Sequence, residues 1–143
     1  MHKQKLTVLI LSIIGMLCTF MPWINIPLVG ALNGTQRDGW ISLALFCIPV
    51  LLCLLWDQSV PLNKLQGFVV ASLGALLFFF TLYKIIDFST GMAQIAQDNP
   101  FAEMLEQKVS IGFGLYLLML TGAALPIAVF TLTNKKVPYD PAP

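Results

Sequence analysis

The sequence predicts an all-α membrane protein, an antiparallel four-helix transmembrane bundle with a small extracytoplasmic cap. Hydrophobic residues make up 57% of the 143 residues and charged residues only 10%, whereas a soluble domain usually carries about 25% charged residues. The mean hydropathy is +0.82. The apolar residues are also grouped into four long runs without a charged residue, at 6–23, 40–56, 67–83 and 109–134. These observations predict a single membrane domain, 1–143.

Each run is long enough for one membrane span. A helix rises about 1.5 Å per residue, so roughly 20 residues, within a range of about 17–25, cross a hydrocarbon core of about 30 Å. Backbone polar groups in lipid must be paired within the segment, which makes the spans helical. We assign the spans to residues 6–23, 40–56, 67–86 and 109–132.

The first span has a competing interpretation as a signal peptide, because Lys3 and Lys5 precede an apolar stretch. No small-x-small cleavage pattern closely follows that stretch, and Pro22-Trp23 stands there instead. We therefore expect the segment to be retained as the first helix.

The distribution of basic residues predicts the topology, because lysine and arginine concentrate on the cytoplasmic side. With both termini cytoplasmic, the loop 57–66 and the tail 133–143 lie inside, and the loops 24–39 and 87–108 lie outside. The inner segments then hold five of the eight basic residues: Lys3, Lys5, Lys64, Lys135 and Lys136. The outer segments hold most of the acidic residues.

The first outer loop, 24–39, is flanked by Trp23 and Trp40, which suit a membrane interface. It contains the turn dipeptides Asn33-Gly34 and Asp38-Gly39, which favour tight reversals of the chain. A small hairpin and an irregular connection are equally compatible with this pattern.

The second outer loop, 87–108, is long for a simple connection. Asn99-Pro100 is typical of a helix start, and Phe101, Met104 and Leu105 then fall on one face. An amphipathic segment resting on the bundle or on lipid headgroups is one interpretation. A cap without a binding role is the other.

Three short motifs carry a family resemblance. Pro22-Trp23 ends the first span, Asp38-Gly39-Trp40-Ile41 starts the second, and Gly-Phe-Gly-Leu-Tyr-Leu at 112–117 lies early in the fourth. This combination resembles a group of small, uncharacterised bacterial four-helix membrane proteins. The resemblance implies a multi-pass protein of the bacterial inner (plasma) membrane and supplies no activity.

The layout is also similar to that of claudins, which have four spans, internal termini and a tryptophan in the first outer loop. Claudins carry a disulfide in that loop, and residues 24–39 contain no cysteine. The likeness is therefore one of layout alone.

The sequence lacks a recognisable set of catalytic residues. Catalysis needs a positioned acid, base, nucleophile or metal, and the one histidine is His2. Cys18, Cys47 and Cys53 all fall inside apolar runs, where a thiol behaves as a small hydrophobic group. We predict that the protein is not an enzyme and has no cofactor or metal. A net charge of +1 gives no basic field for nucleic acid.

Small residues at four-residue spacing predict close helix packing, because lipid provides no hydrophobic drive for helices to associate. Gly15/Thr19 and Ser110/Gly114 are two such pairs. A rival interpretation is a pore lined by small and hydroxyl residues: Ser12, Gly15, Thr19, Ser72, Gly74, Thr81, Gly112, Gly114 and Thr121.

The leading hypothesis is a non-enzymatic structural, assembly or sensing subunit that acts through helix packing and outer-loop contacts. Its expected partners are membrane lipids and either a second copy of the chain or another membrane protein. The alternative is a small oligomeric pore or carrier for ions or small solutes. The candidate interaction or packing residues are Trp23, Trp40, Phe101, Gly15, Ser110 and Gly114.

Overall fold

The computed structural model describes residues 2–26, 30–36, 38–57, 59–98 and 109–133. Its four helices are α1 (Lys3–Phe20), α2 (Gly39–Leu55), α3 (Lys64–Asp98) and α4 (Phe113–Thr133). Helices α1, α3 and α4 are each long and apolar enough to cross a membrane, and α2 is a shorter apolar helix of 17 residues. The four predicted helices are therefore confirmed as helices.

A small sheet corrects the all-α prediction. Strands β1 (Pro22–Ile26), β2 (Gly30–Asn33) and β3 (Ser110–Ile111) form one antiparallel sheet in the order β2-β1-β3. Strands β1 and β2 form a hairpin, one of the two alternatives for the first loop, but the predicted turn dipeptide Asn33-Gly34 lies at the end of β2 and not at the reversal. Gly30 opens β2 with a φ of +94°, a conformation that glycine adopts without steric cost. The third strand comes from the segment before α4.

Two helix ends differ from the sequence prediction. α1 stops at Phe20 and not at residue 23, because Pro22 disfavours a helical conformation at Met21, whose ψ is 161°. Trp23 consequently lies in β1. α4 begins at Phe113 and not at residue 109, because Ser110 and Ile111 pair with β1. The backbone N–H of Gly112 donates to the carbonyl of Trp23 at 2.7 Å.

Helix α3 is longer than the sequence predicts. It runs for 35 residues to Asp98, about 52 Å at the usual helical rise, so residues 87–98 are helix and not loop. The hydroxyls of Ser89 and Thr90 donate to carbonyls one turn earlier, on Ile85 and Ile86. The polar residues of 87–98 are compatible with a loop between spans, as predicted, but equally with an exposed helix.

The helices pack in the spatial order α2-α1-α4-α3, with α2 touching α3 only lightly. Gln4 at the start of α1 contacts Val129 near the end of α4, and Lys5 contacts Asp57 just after α2. These contacts show that α1 runs antiparallel to both α2 and α4. Fully buried apolar side chains from all four helices fill the centre: Val8, Phe46, Val70, Leu77, Leu118 and Leu125.

The outward faces of the bundle are apolar. Large side chains more than half exposed occur on every helix, among them Leu17, Leu51, Phe68, Phe79, Leu120 and Phe130. Exposed apolar surface of this extent is rare on a soluble monomer. We call the end of the bundle that carries the sheet the sheet end, and the end that carries the connection between α2 and α3 the loop end.

Candidate functional site at the sheet end

Trp23 attaches the hairpin to the end of α1. Its side chain is only 5% exposed, and its indole N–H donates to the carbonyl of Cys18 at 3.2 Å. Gly34 packs closely against the ring, since a Cβ at this position would stand 2.4 Å from Trp23 Cε2. The structure therefore gives Trp23 an internal packing position and not an exposed one.

Two glycines let the start of α4 approach the end of α1. A Cβ at Gly112 would lie 2.1 Å from the carbonyl oxygen of Pro22, and one at Gly114 would lie 2.8 Å from Met21 Cβ. Gly114 thus makes a close contact with Met21 and Pro22, just beyond the end of α1. Ser110 does not share a helix face with it, because Ser110 is an exposed residue of β3. The predicted helical seam of Ser110 and Gly114 is wrong for that reason.

Gly15 lies in the contact between α1 and α2. A Cβ there would meet the ring of Phe46 at 2.2 Å, and Phe46 is completely buried. One turn further along, the hydroxyl oxygens of Thr19 and Ser42 lie 3.4 Å apart. Small residues on α1 therefore leave room for the bulky Phe46 ring of α2.

A second seam joins α3 and α4 through Gly74 and Gly122, two residues that were not predicted to pack against each other. A Cβ on Gly74 would lie 2.9 Å from the carbonyl oxygen of Gly122, and one on Gly122 would lie 3.0 Å from the amide nitrogen of Phe78. The two backbones are thus in direct contact. Glycine inside an apolar span was the available signal, but Gly74 was considered only as a pore-lining residue.

A cleft opens where the sheet meets α2 and α3. Charged and apolar side chains line about 50 Å³ of space: Asp38, Lys84 and Asp87 beside Trp23, Ile24, Phe88, Ile111 and Leu115. Lys84 forms an ion pair with Asp38, which immediately precedes α2. Its ammonium group also lies 5.7 Å from the ring centroid of Phe80 and 6.0 Å from that of Tyr83, within cation–π range. Lys84 thereby ties α2 to α3.

The two remaining aromatic candidates have different outcomes. Trp40, in the first turn of α2, is 60% exposed, so its ring is available to lipid or to a partner. Phe101 lies outside the described residues, as does the amphipathic segment predicted after Asn99. The role assigned to that segment stays a prediction.

The loop end contains a polar cluster that was not predicted from the sequence. Gln4 and Lys5 are 1% and 2% exposed. The Gln4 amide donates to Val129 at 3.1 Å and accepts from the N–H of Leu62 at 3.1 Å, and Lys5 Nζ donates to the Asp57 carbonyl at 2.6 Å. The cluster joins α1, α4 and the connection between α2 and α3. The sequence predicts Lys5 only as a charge at the cytoplasmic surface, without a contact.

The Asp57 carboxylate has a local environment of its own. The hydroxyl and the backbone N–H of Ser59 both donate to it, at 2.6 and 3.0 Å. These hydrogen bonds, made first by the Ser59 side chain and then by its backbone, lower the pKa of Asp57. The carboxylate therefore stays charged at neutral pH, beside the ammonium group of Lys5.

The buried hydroxyls are satisfied within their own helices. Ser12 donates to the carbonyl of Val8, Thr81 to Leu77 and Thr121 to Leu118. Within the described ranges, no buried side-chain nitrogen or oxygen lacks a hydrogen-bond partner, and no three potential metal ligands come together. The hydroxyls named as possible pore lining thus have a structural explanation inside one chain.

Among the described residues, the sheet end combines an exposed tryptophan, an inter-helix ion pair and a cleft. Comparison with known proteins adds no assignment, since no protein-family model and no curated protein matches the chain.

Proposed function

We propose that the protein is a multi-pass integral membrane protein with both termini cytoplasmic and the sheet end outside. In this proposal it acts as a non-enzymatic structural, assembly or sensing subunit, and its sheet end contacts the partner. The partner is a second copy of the chain or another protein of the same plasma membrane.

Spacing of interfacial residues supports the membrane placement. Lys64 begins α3, and Lys84 follows 20 residues later, about 30 Å along the helix and equal to a typical hydrocarbon thickness. Lysines at these depths can extend their ammonium groups to both interfaces. Trp40 and Trp56 lie at the two ends of α2 and are 60% and 56% exposed, as expected for an aromatic residue at each membrane surface.

The observation that carries the functional proposal is the extension of α3 beyond Lys84. Helix α3 continues from Lys84 to Asp98, about 21 Å further along the axis. Asp87, Ser89 and Thr90 are exposed on its first part. Joining two spans needs no such projection, whereas a rigid helix beside a sheet gives a partner a defined surface outside the lipid.

Internal packing supports the choice of the sheet end over the helix seams. The Phe46 ring fills the space beside Gly15, and the backbone at Gly122 fills the space beside Gly74. Because one chain already fills these seams, they do not offer a second helix a place to pack. The surfaces that remain for contact with another protein are the sheet end and the apolar outer faces.

A photo-crosslinking amino acid at Ser89 tests the functional proposal in native membranes. We expect position 89 to give one discrete protein adduct, because it lies on the projecting helix. Ser59, an exposed serine at the loop end, provides the matched control and should not give this adduct. Identical adducts at both positions, or lipid adducts alone at position 89, would contradict the proposal. Saturable ion flux through liposomes of the purified protein would favour the alternative, a pore formed between chains.

Single-cysteine labelling tests the orientation in a variant whose Cys18, Cys47 and Cys53 are replaced by alanine. We expect Ala31→Cys to react with an impermeant maleimide in intact cells, since Ala31 is exposed in the hairpin. Lys64→Cys should react only after permeabilisation. The reverse pattern would invert the topology.

A further inference from the structure

The cleft at the sheet end combines two kinds of surface. Asp38, Lys84 and Asp87 provide charge, and five apolar side chains provide the remainder of the lining. Two carboxylates against one ammonium group leave a net charge of −1 among these lining groups. The Asp38 and Lys84 side chains are 48% and 25% exposed, so both can reach a ligand while they remain paired.

Charge complementarity favours a ligand with a cationic group. A carboxylate offers about four lone-pair positions, so Asp38 and Asp87 can accept hydrogen bonds from a ligand in addition to contacts within the protein. Lys84 has three N–H donors, and those not directed at Asp38 can contact an anion. The cleft therefore suits a ligand that carries both an ammonium group and a nearby anionic group.

The position of the cleft indicates the source of this ligand. If Lys84 marks the outer interface, as the proposed placement has it, the cleft lies at the level of the lipid headgroups. Its apolar lining, which includes Phe88 and Leu115, suits the methylene groups of a lipid. A phospholipid with a zwitterionic headgroup presents the required pair of charges at this depth.

Hydrogen bonding separates the two common zwitterionic headgroups. The primary ammonium group of ethanolamine has N–H donors for the carboxylates of Asp38 and Asp87. The quaternary nitrogen of choline has no N–H to donate.

We propose that the cleft binds the headgroup of phosphatidylethanolamine. Asp38 and Asp87 accept hydrogen bonds from the primary ammonium group, and Lys84 contacts the phosphate. This inference rests on the proposed membrane placement, but it requires no protein partner. The crosslinking experiment can therefore fail while lipid binding is observed, and lipid binding can fail while the protein adduct is observed.

Native mass spectrometry of the full chain in detergent tests the inference, with equimolar phosphatidylethanolamine and phosphatidylcholine of identical acyl chains. We expect ethanolamine adducts to exceed choline adducts roughly tenfold, because only the primary ammonium donates charge-assisted hydrogen bonds. Asp87→Asn should reduce this ratio to about unity. Asp57→Asn makes the same chemical change at the loop end, outside the cleft, and should leave the ratio unchanged.

Three results would overturn the proposal. Equal adducts of the two lipids in the unmodified protein would remove the headgroup preference. An unchanged ratio in Asp87→Asn, with the variant shown to be folded by its circular dichroism, would place the preference elsewhere. Complete displacement of the lipid by a slight excess of free phosphoethanolamine would make the soluble compound, and not the lipid, the occupant.

Discussion

Replacing Gly74 by leucine is expected to force α3 away from α4 and to lower the free energy of unfolding by about 3 kcal/mol, the upper part of the range for overpacking. A Cβ at this position already lies 2.7 Å from Pro126 Cδ and 2.9 Å from the carbonyl oxygen of Gly122. The carbonyl belongs to a helix backbone, so it cannot rotate away as a flexible side chain can. Unfolding of the purified protein in mixed micelles, followed by circular dichroism, measures the effect.

Ser72→Leu is the matched control for this prediction. Ser72 lies on the same helix at nearly the same depth, and its side chain is exposed. Its hydroxyl donates only to the carbonyl of Val69 in the same helix, so leucine there meets lipid or detergent. Equal loss of stability in the two variants would show that α3 does not approach α4 as closely as the structure indicates.

Replacing Gln4 by leucine is expected to cost about 2–3 kcal/mol, because one side chain provides two buried hydrogen bonds. The N–H of Leu62, a residue only 6% exposed, loses its acceptor. The connection between α2 and α3 also loses its link through Gln4 to Val129. We expect a lower unfolding midpoint and faster proteolysis at the loop end.

Gln66→Leu controls for the removal of a glutamine. The Gln66 side chain also accepts from a backbone N–H, that of Asn63 at 3.0 Å, but this bond is exposed. Water can replace it, so the change should stay within about 0.5 kcal/mol. A Gln4 variant as stable as the Gln66 variant would mean that the buried bonds contribute nothing measurable.

The sequence by itself determined the four helices and the apolar exterior. Hydropathy is a local property, and a charge-free run of about 20 residues has few stable alternatives to a helix. The hairpin was one of two candidates for the first loop, but its expected turn dipeptide, Asn33-Gly34, stands at the far end of β2, and the pairing closes at Ile26 and Gly30 instead. Insertion into a membrane, the orientation and the role of Phe101 stay predictions.

Only the tertiary structure decided what depends on contacts between distant residues. β3 pairs with β1 across more than 80 residues of chain, and this pairing delays the start of α4 to Phe113. A two-residue strand contains no sequence pattern from which such a pairing could be predicted. The same holds for the Lys84–Asp38 ion pair, since Asp87, one turn from Lys84, was the nearer carboxylate in sequence.

The glycines and the buried polar residues show the physical reason for this division. Gly15, Gly74 and Gly114 all look alike in an apolar span, yet they face a ring, a helix backbone and the end of α1 respectively. Lys5 has the sequence context of a surface charge, but Asp57 offers its carbonyl at 2.6 Å and the side chain is buried. A residue's own chemistry sets which environments it tolerates, whereas the packing of other segments sets which of those environments it occupies.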